Sequence, residues 1–283
     1  DAMKLTMNNI RELQKIQLDI LLAFDKACRE MGLSYTLSSG TLLGAVRHGG
    51  FIPWDDDVDV AMLREDYEVF LKEGHKYLPD HLFIQHYETD PQYPHNFIKL
   101  IDTRTKLVEY VTSNLDMRKS VFIDVFPIDR IPNSKFLRII DRKILAFVFF
   151  TKHSLTMKYR QPETTRFRKV WSRILRPLGK LLGNYRLNQW ETALKTKYNH
   201  NSKYEYTYGD NAIIIHSEID DSMIMPISVF EELEEIEFEN HRFMAMKNRD
   251  LYLRTVYGDD YMEIPPKEKQ VFKHEYIDLK LTS

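Results

Sequence analysis

The run Trp54-Asp55-Asp56-Asp57-Val58-Asp59-Val60 holds aspartates at 55, 57 and 59. On a strand, that i, i+2 spacing sets three carboxylates on one face, with successive Cα atoms ~7 Å apart. Val58 and Val60 then point the other way, into a core, and Asp56 faces away from the other acids as a structural residue. Carboxylates held this close repel. Two charges ~4 Å apart cost about 4 kcal/mol at an effective dielectric of ~20. A cation among them relieves that cost, and an all-aspartate oxygen set suits Mg2+, which takes one or two carboxylates and shares its remaining positions with water and substrate phosphates. The chemistry indicated is metal-assisted displacement on a phosphate.

Phosphate needs a cradle, and Ser38-Ser39-Gly40-Thr41 has its composition. Gly40 falls where a strand turns into a helix, and without a Cβ it lets backbone N–H groups approach an anion. The three hydroxyls add donors. A further acid, Asp124, sits alone in the apolar strand Phe122-Ile123-Asp124-Val125-Phe126. A buried carboxylate there requires a cation or hydrogen-bond donors. Cradle, aspartate pair and third carboxylate together suggest a nucleotidyltransferase-type fold.

The elements that must position these residues follow from periodicity and breakers. Asn9-Ile10-Arg11-Glu12 reads as a capping-box variant. Behind it Ile10, Leu13, Ile16, Ile20, Phe24, Ala27 and Met31 recur at helical spacing up to Gly32. A short strand over 35–37, a helix through Leu42, Leu43 and Val46, an acidic strand over 57–62 and a helix over 65–77 come next. Strands over 82–87, 96–102, 107–111 and 121–126 complete a mixed α/β core, roughly 33–130. Residues 134–199 turn helical, divided by Pro162 and Pro177 into about three helices. Strands over 213–216, 236–239 and 243–246 follow, the last two flanking a hairpin at Asn240-His241. A helix over 250–257 stops at Gly258, and an extended tail follows. The expected organisation is a catalytic core over 1–133, a basic helical insertion over 134–204, and a C-terminal strand-helix return over 205–283.

Length and composition bound the answer. A chain of 283 residues suits one large domain or two small ones, and 43% hydrophobic content supports a real core. The net charge of −2 gives no global nucleic-acid footprint. It conceals an asymmetry: Lys135 to Arg186 carries 14 Lys/Arg against Asp141 and Glu163 alone, or +12, leaving −14 elsewhere. The lone Cys28 rules out an internal disulfide and reads as inert packing. No Cys/His spacing suggests zinc. Asp1-Ala2 ahead of Met3 reads as an artificial stub, and no leader of basic, apolar and small residues follows. The longest apolar run, 144–150, falls far short of the ~20 residues that span a bilayer.

The stretch from Leu37 through Ser38-Ser39-Gly40-Thr41, Arg47-His48-Gly49-Gly50-Phe51-Ile52-Pro53 and on to Val60 resembles the signature of the LicD family. The likeness continues through Phe122-Ile123-Asp124-Val125-Phe126-Pro127-Ile128-Asp129 to Tyr257-Gly258-Asp259-Asp260-Tyr261-Met262 and Pro265-Pro266. The basic helices are its least typical part. Thr41 stands where the wider nucleotidyltransferase pattern has Gly or Ser, a departure that keeps the hydroxyl.

That resemblance implies phosphoalcohol transfer from a CDP-linked donor to a sugar hydroxyl. Members include phosphocholine transferases that decorate bacterial teichoic acid and lipopolysaccharide, and fukutin-type phosphoribitol transferases. The expectation is phosphocholine transfer from CDP-choline to a teichoic-acid precursor. Phosphoribitol or phosphoglycerol transfer, nucleotidyl transfer, and a non-catalytic lipid-binding scaffold are the alternatives. Asp57 and Asp59 are expected to hold Mg2+ or Mn2+, with Asp55 completing the site. Asp124 is expected to share the metal and take the acceptor proton, and a second metal is compatible with so many acids. Arg47, Lys99 and Arg104 are the candidates for phosphate charge, and Trp54, Tyr93 and Phe126 for choline's ammonium. The basic segment, through Leu145, Phe147, Val148, Phe149 and Phe150, is expected to hold the enzyme on an anionic membrane surface, where it meets a lipid-linked glycan acceptor. The place implied is cytoplasmic, peripheral at the inner face of a bacterial membrane, with no nucleic-acid partner.

Overall fold

The computed structural model describes residues 5–7, 9–156, 166–210 and 221–281. The expected strand at 213–216 and the expected break at Pro162 lie outside them. Helix α1 (Ile10–Met31) buries Leu13, Ile20, Leu21, Phe24 and Ala27 along one stripe, and Gly32 closes it with a left-handed φ of 69°. Its start differs from the capping box. Asn9 Oδ1 reaches backward to the Thr6 N–H at 2.7 Å instead of forward into the first turn.

The chain then forms β1 (Thr36–Leu37), α2 (Ser39–His48), β2 (Asp59–Leu63), α3 (Arg64–Glu73), β3 (Leu82–Gln85), β4 (Ile98–Asp102), β5 (Lys106–Glu109) and β6 (Val121–Ile128). Helices α4 (Lys135–Thr156) and α5 (Arg166–Thr196) pack on each other. After them come β7 (Tyr206–Thr207), β8 (Met225–Pro226), α6 (Ser228–Glu231), β9 (Leu233–Phe238), β10 (His241–Met246), α7 (Arg249–Tyr257) and β11 (Tyr276–Lys280).

Among the described residues one seven-stranded mixed sheet runs β3-β4-β6-β2-β1-β10-β9. At its centre β2 and β6 are parallel, and β4 is antiparallel to β6. Val58, Val60, Ile123 and Val125 are fully buried there, while α1 packs across β4 and β6. The β9–β10 hairpin turns at Glu239 and Asn240, both at positive φ (49° and 62°), as a two-residue type I′ turn requires. The tail is more than extended: β11 returns to pair antiparallel with β5.

Within α5 the break falls elsewhere than at its proline. Pro177 lies within α5, and the interruption falls at Gly183 (φ 77°, ψ 159°). Proline can remain in a helix that kinks around it, whereas a positive φ cannot be continued as helix.

Candidate active site

Three strands lay one row of charge across the middle of the sheet. Lys99 of β4 stands opposite Asp124 of β6, and Asp124 opposite Asp59 of β2. The next chain along, at the start of α2, joins the row through the Ser38 N–H, which donates to the Asp59 carbonyl at 3.0 Å. Thr41 Oγ1 accepts the Asp59 N–H at 2.9 Å. The row is therefore backbone-fixed at Asp59, and strand register puts the two acids side by side. Lys99 Nζ lies 3.4 Å from both Asp124 Oδ1 and Glu109 Oε2, over the Phe122 ring at 3.1 Å.

Asp55, Asp56 and Asp57 precede β2 in irregular chain, so the acidic strand begins two residues later than its alternation suggested. The backbone carbonyls of this stretch are taken by helix side chains instead of a β ladder. Gln14 Nε2 donates to the Ile52 and Asp55 carbonyls at 3.2 and 2.9 Å, and Gln17 Nε2 to that of Asp56 at 2.9 Å. The loop still gathers the acids. Asp56 is wholly buried and accepts both the backbone N–H of His274 (3.0 Å) and its Nδ1–H (3.1 Å). Lys273 Nζ stands 3.3 Å from Asp55 Oδ1 and 3.8 Å from Asp57 Oδ1.

Burial and mutual repulsion dominate the electrostatics. Burial, then the neighbouring Asp57, pushes Asp55 up to about 7. Burial, Asp57 and Asp124 push Asp59 well above the usual carboxylate range. Burial lifts Asp124 to about 6 against the opposing pull of Lys99. Burial alone would lower His274, but its bond to Asp56 and the charges of Asp57 and Asp56 raise it to about 9.

These residues fit a hard divalent cation. Asp57 Oδ1 is buried with no hydrogen-bond partner among the described residues. The surrounding donors are carboxylate oxygens, the class Mg2+ prefers. Among the described residues one group of three, Asp56, Asp57 and His274, has ligand atoms within 4.8 Å of one another; Asp55, Asp59 and Asp124 do not converge that closely. There His274 Nδ1 already faces Asp56 Oδ1 at 3.1 Å.

The remaining expected site residues divide. Gly40 abuts the acids: a Cβ there would lie 2.6 Å from Asp55 Oδ2. Ser38 Oγ is buried with no partner among the described residues. The Ser39 hydroxyl donates to Asp210 at 2.7 Å, and the Ser39 N–H to the Tyr252 hydroxyl at 2.9 Å, so these groups tie α2 to the C-terminal region. Arg47 holds the carbonyls of Tyr261 and Glu263, both at 2.9 Å. Arg104 is not brought to the acids; it forks onto Asp102 at 3.0 and 2.7 Å. Tyr93 and Phe126 join one aromatic group through Phe97, at 6.4 and 4.8 Å between ring centroids. Trp54 is elsewhere, in a cleft of about 480 Å³ that Gly40, Arg47, Asp55, Tyr257 and Lys273 also line. That volume is within the ~300–1,000 Å³ typical of ligand sites.

Sequence reasoning did not single out Lys273, His274, Glu109 or Asp210. The His274–Asp56 contact spans 218 positions, and a Lys-His pair in a polar tail carries no local periodicity or breaker pattern that would mark it.

Known proteins share parts of this sequence. A sequence profile described as "LicD/FKTN/FKRP, nucleotidyltransferase domain" matches residues 32–178. The chain is 32% identical over 273 residues to the lipopolysaccharide cholinephosphotransferase LicD of Haemophilus influenzae, covering 94% of this chain and 96% of that protein. A short stretch of 35 residues is 57% identical to human ribitol 5-phosphate transferase FKRP, 12% of this chain and 7% of that one. A 41-residue stretch is 54% identical to an uncharacterized protein of Rickettsia prowazekii, 14% of this chain and 15% of that one.

Proposed function

The chain belongs to the LicD family and is a transferase of that type; from that premise we propose that it moves phosphocholine from CDP-choline to a sugar hydroxyl of a lipid-linked cell-surface glycan. The observation that carries the cargo is the near full-length likeness to a cholinephosphotransferase, against the short local match to ribitol phosphate transferases. The acceptor is a teichoic-acid precursor, with lipopolysaccharide, the relative's named substrate, as the second candidate.

Asp57 and Asp59 hold Mg2+ or Mn2+, with Asp55 beside it; when bound, the ion neutralises the donor's diphosphate. The chain itself supplies orientation and proton transfer. The acceptor oxygen bonds to the choline-bearing phosphorus. The bond from that phosphorus to the bridging oxygen breaks, and its electron pair leaves with CMP. The acceptor proton passes to Asp124, whose upward shift to about 6 makes it a competent base near neutrality. Thermal shift with Mg2+ and CDP-choline, CDP-ribitol or CDP-glycerol tests the cargo. The choline donor should stabilise most, and turnover should release CMP. A shift with CDP-ribitol alone overturns the cargo, and release of phosphocholine overturns the choice of phosphorus.

The same reading places the enzyme on an anionic inner membrane face, through residues other than those first expected. Leu145, Val148 and Phe149 are buried within the protein, and of that set Phe147 is exposed. The exposed stripe is Phe136, Ile140, Ile144 and Phe147, an i, i+4, i+8, i+11 face of α4 in a segment of charge +12. No helix among the described residues is long and apolar enough to cross a membrane. Each basic side chain near an anionic surface contributes ~1 kcal/mol. The protein should therefore sediment with phosphatidylglycerol vesicles, more at low salt than at physiological salt. Ile140→Asp with Phe147→Asp should abolish that. No sedimentation of the wild type at either salt defeats the membrane assignment.

A further inference from the structure

Lys273 comes from the tail, far from the aspartate motif in sequence, yet its ammonium sits where the two halves of the site meet. On one side are Asp55 and Asp57, at 3.3 and 3.8 Å. On the other is the first turn of α2, where a Cβ built on Gly40 would fall 3.1 Å from Nζ. Gly40 is the position expected to let phosphate approach the helix N-terminus. Lys273 therefore occupies the junction between the carboxylates and the phosphate cradle.

The backbone that follows it is pinned by hydrogen bonds, whereas the side chain is held at its tip, by the two carboxylates. His274 is clamped on Asp56 by two hydrogen bonds. The Glu275 carbonyl accepts the Tyr110 N–H at 2.8 Å. The Tyr276 hydroxyl reaches the Asp56 carbonyl at 3.3 Å, and β11 then pairs with β5. The Lys273 side chain, by contrast, is half-exposed and lines the 480 Å³ cleft. With its base fixed and its ammonium tethered only by ion pairs to Asp55 and Asp57, the side chain can swing without moving any strand.

We propose that Lys273 has two successive partners: in the metal-free enzyme it neutralises Asp55 and Asp57, and in the loaded enzyme it turns to the donor's diphosphate and steadies the charge left on CMP. The inference rests on the transferase reading above. It requires that the ammonium and a divalent cation compete for the same carboxylates. Lysine suits the task as a compact charge on a flexible stem.

Mn2+ binding, measured by electron paramagnetic resonance without any nucleotide, tests the first partner. Lys273→Met should bind Mn2+ about tenfold more tightly than wild type, a modest share of what one charge at ~4 Å is worth. Donor affinity, measured calorimetrically with CDP-choline and Mg2+, tests the second. It should weaken about tenfold or more in Lys273→Met, in line with the strength of a charge-assisted phosphate contact, and recover in part in Lys273→Arg. Circular dichroism confirms that both variants fold. If wild type and Lys273→Met bind Mn2+ equally, or donor affinity is unchanged, the assignment to Lys273 fails while the transferase reading stands. If wild type binds neither Mn2+ nor any CDP-alcohol, both fail.

Discussion

Asp59→Asn yields a folded protein that is more stable without metal and has lost transfer activity. The carboxylate sits in the central row beside Asp124, its backbone held by Thr41 and Ser38. None of those bonds involves the side chain, so the amide leaves the sheet intact. What disappears is a carboxyl that, without metal, must either carry a buried charge facing Asp57 and Asp124 or take up a proton to avoid it. Each kcal/mol relieved raises the melting temperature by about 2–4 °C in a chain of this class. Transfer should fall at least ~10²–10³-fold, the cost of removing one group aimed at charge in the transition state.

The pH dependence identifies the cause. In the unfolded chain aspartate ionises near ~3.9, whereas folded Asp55 holds its proton to about 7. Between those values the native state binds more protons, so metal-free stability must fall as pH rises through that window. The fall should be shallower in Asp59→Asn and in wild type with Mg2+. Calorimetry in chelator at pH 5 and pH 7.5 measures it. A variant that is less stable than wild type at pH 7.5, or still active, contradicts the charge-crowding account.

Lys99→Met should be the most destabilising single change at the site. The ammonium lies between Asp124 and Glu109, buried, with Phe122 beneath it. Removing it leaves two carboxylates without their cation, and breaking a buried pair costs about 3–5 kcal/mol. Glu109→Gln added to Lys99→Met should restore part of that, because one of the two charges is gone. Lys99 also opposes the burial that raises Asp124. Without it the Asp124 carboxyl keeps its proton to higher pH, so the acid limb of the rate profile should move above about 6. Urea unfolding and a pH–rate profile report the two effects separately. Stability within ~1 kcal/mol of wild type would falsify the pairing.

The central strands were legible because their signal is local. Val121–Ile128 is an apolar run with one acid in it, and its partner β4 sets Ile98, Leu100 and Ile101 among Lys99 and Asp102; both formed as strands. The hairpin was legible from a turn pair between alternating segments, but one residue late: the pattern puts it at Asn240-His241, and the turn falls at Glu239 and Asn240. The start of β2 was not. Its alternation of Asp and Val runs back to Asp57, but Gln14 and Gln17, more than 35 positions earlier, hold the carbonyls of Asp55 and Asp56 just ahead of it in irregular chain. Within α5 proline looked like the breaker, while a glycine able to take positive φ did the breaking.

The candidate site shows the same division. One motif supplied the acids and Gly40, and strand register brought Asp124 and Lys99 to them. Arg104 carried the right charge, but Asp102, two residues away, holds it. Lys273 and His274 reach the acids only because β11 doubles back onto β5, and no neighbouring residue announces that pairing.

That last pairing has a consequence for biosynthesis. The carboxylate motif leaves the ribosome well ahead of its partners: Asp56 precedes the His274 that faces it by 218 residues, and Lys273 is the neighbour of His274. Until that later segment is made, the nascent polypeptide carries the acids without this basic counterpart. The machinery therefore closes only once β11 has been translated, by a contact between segments far apart in the chain.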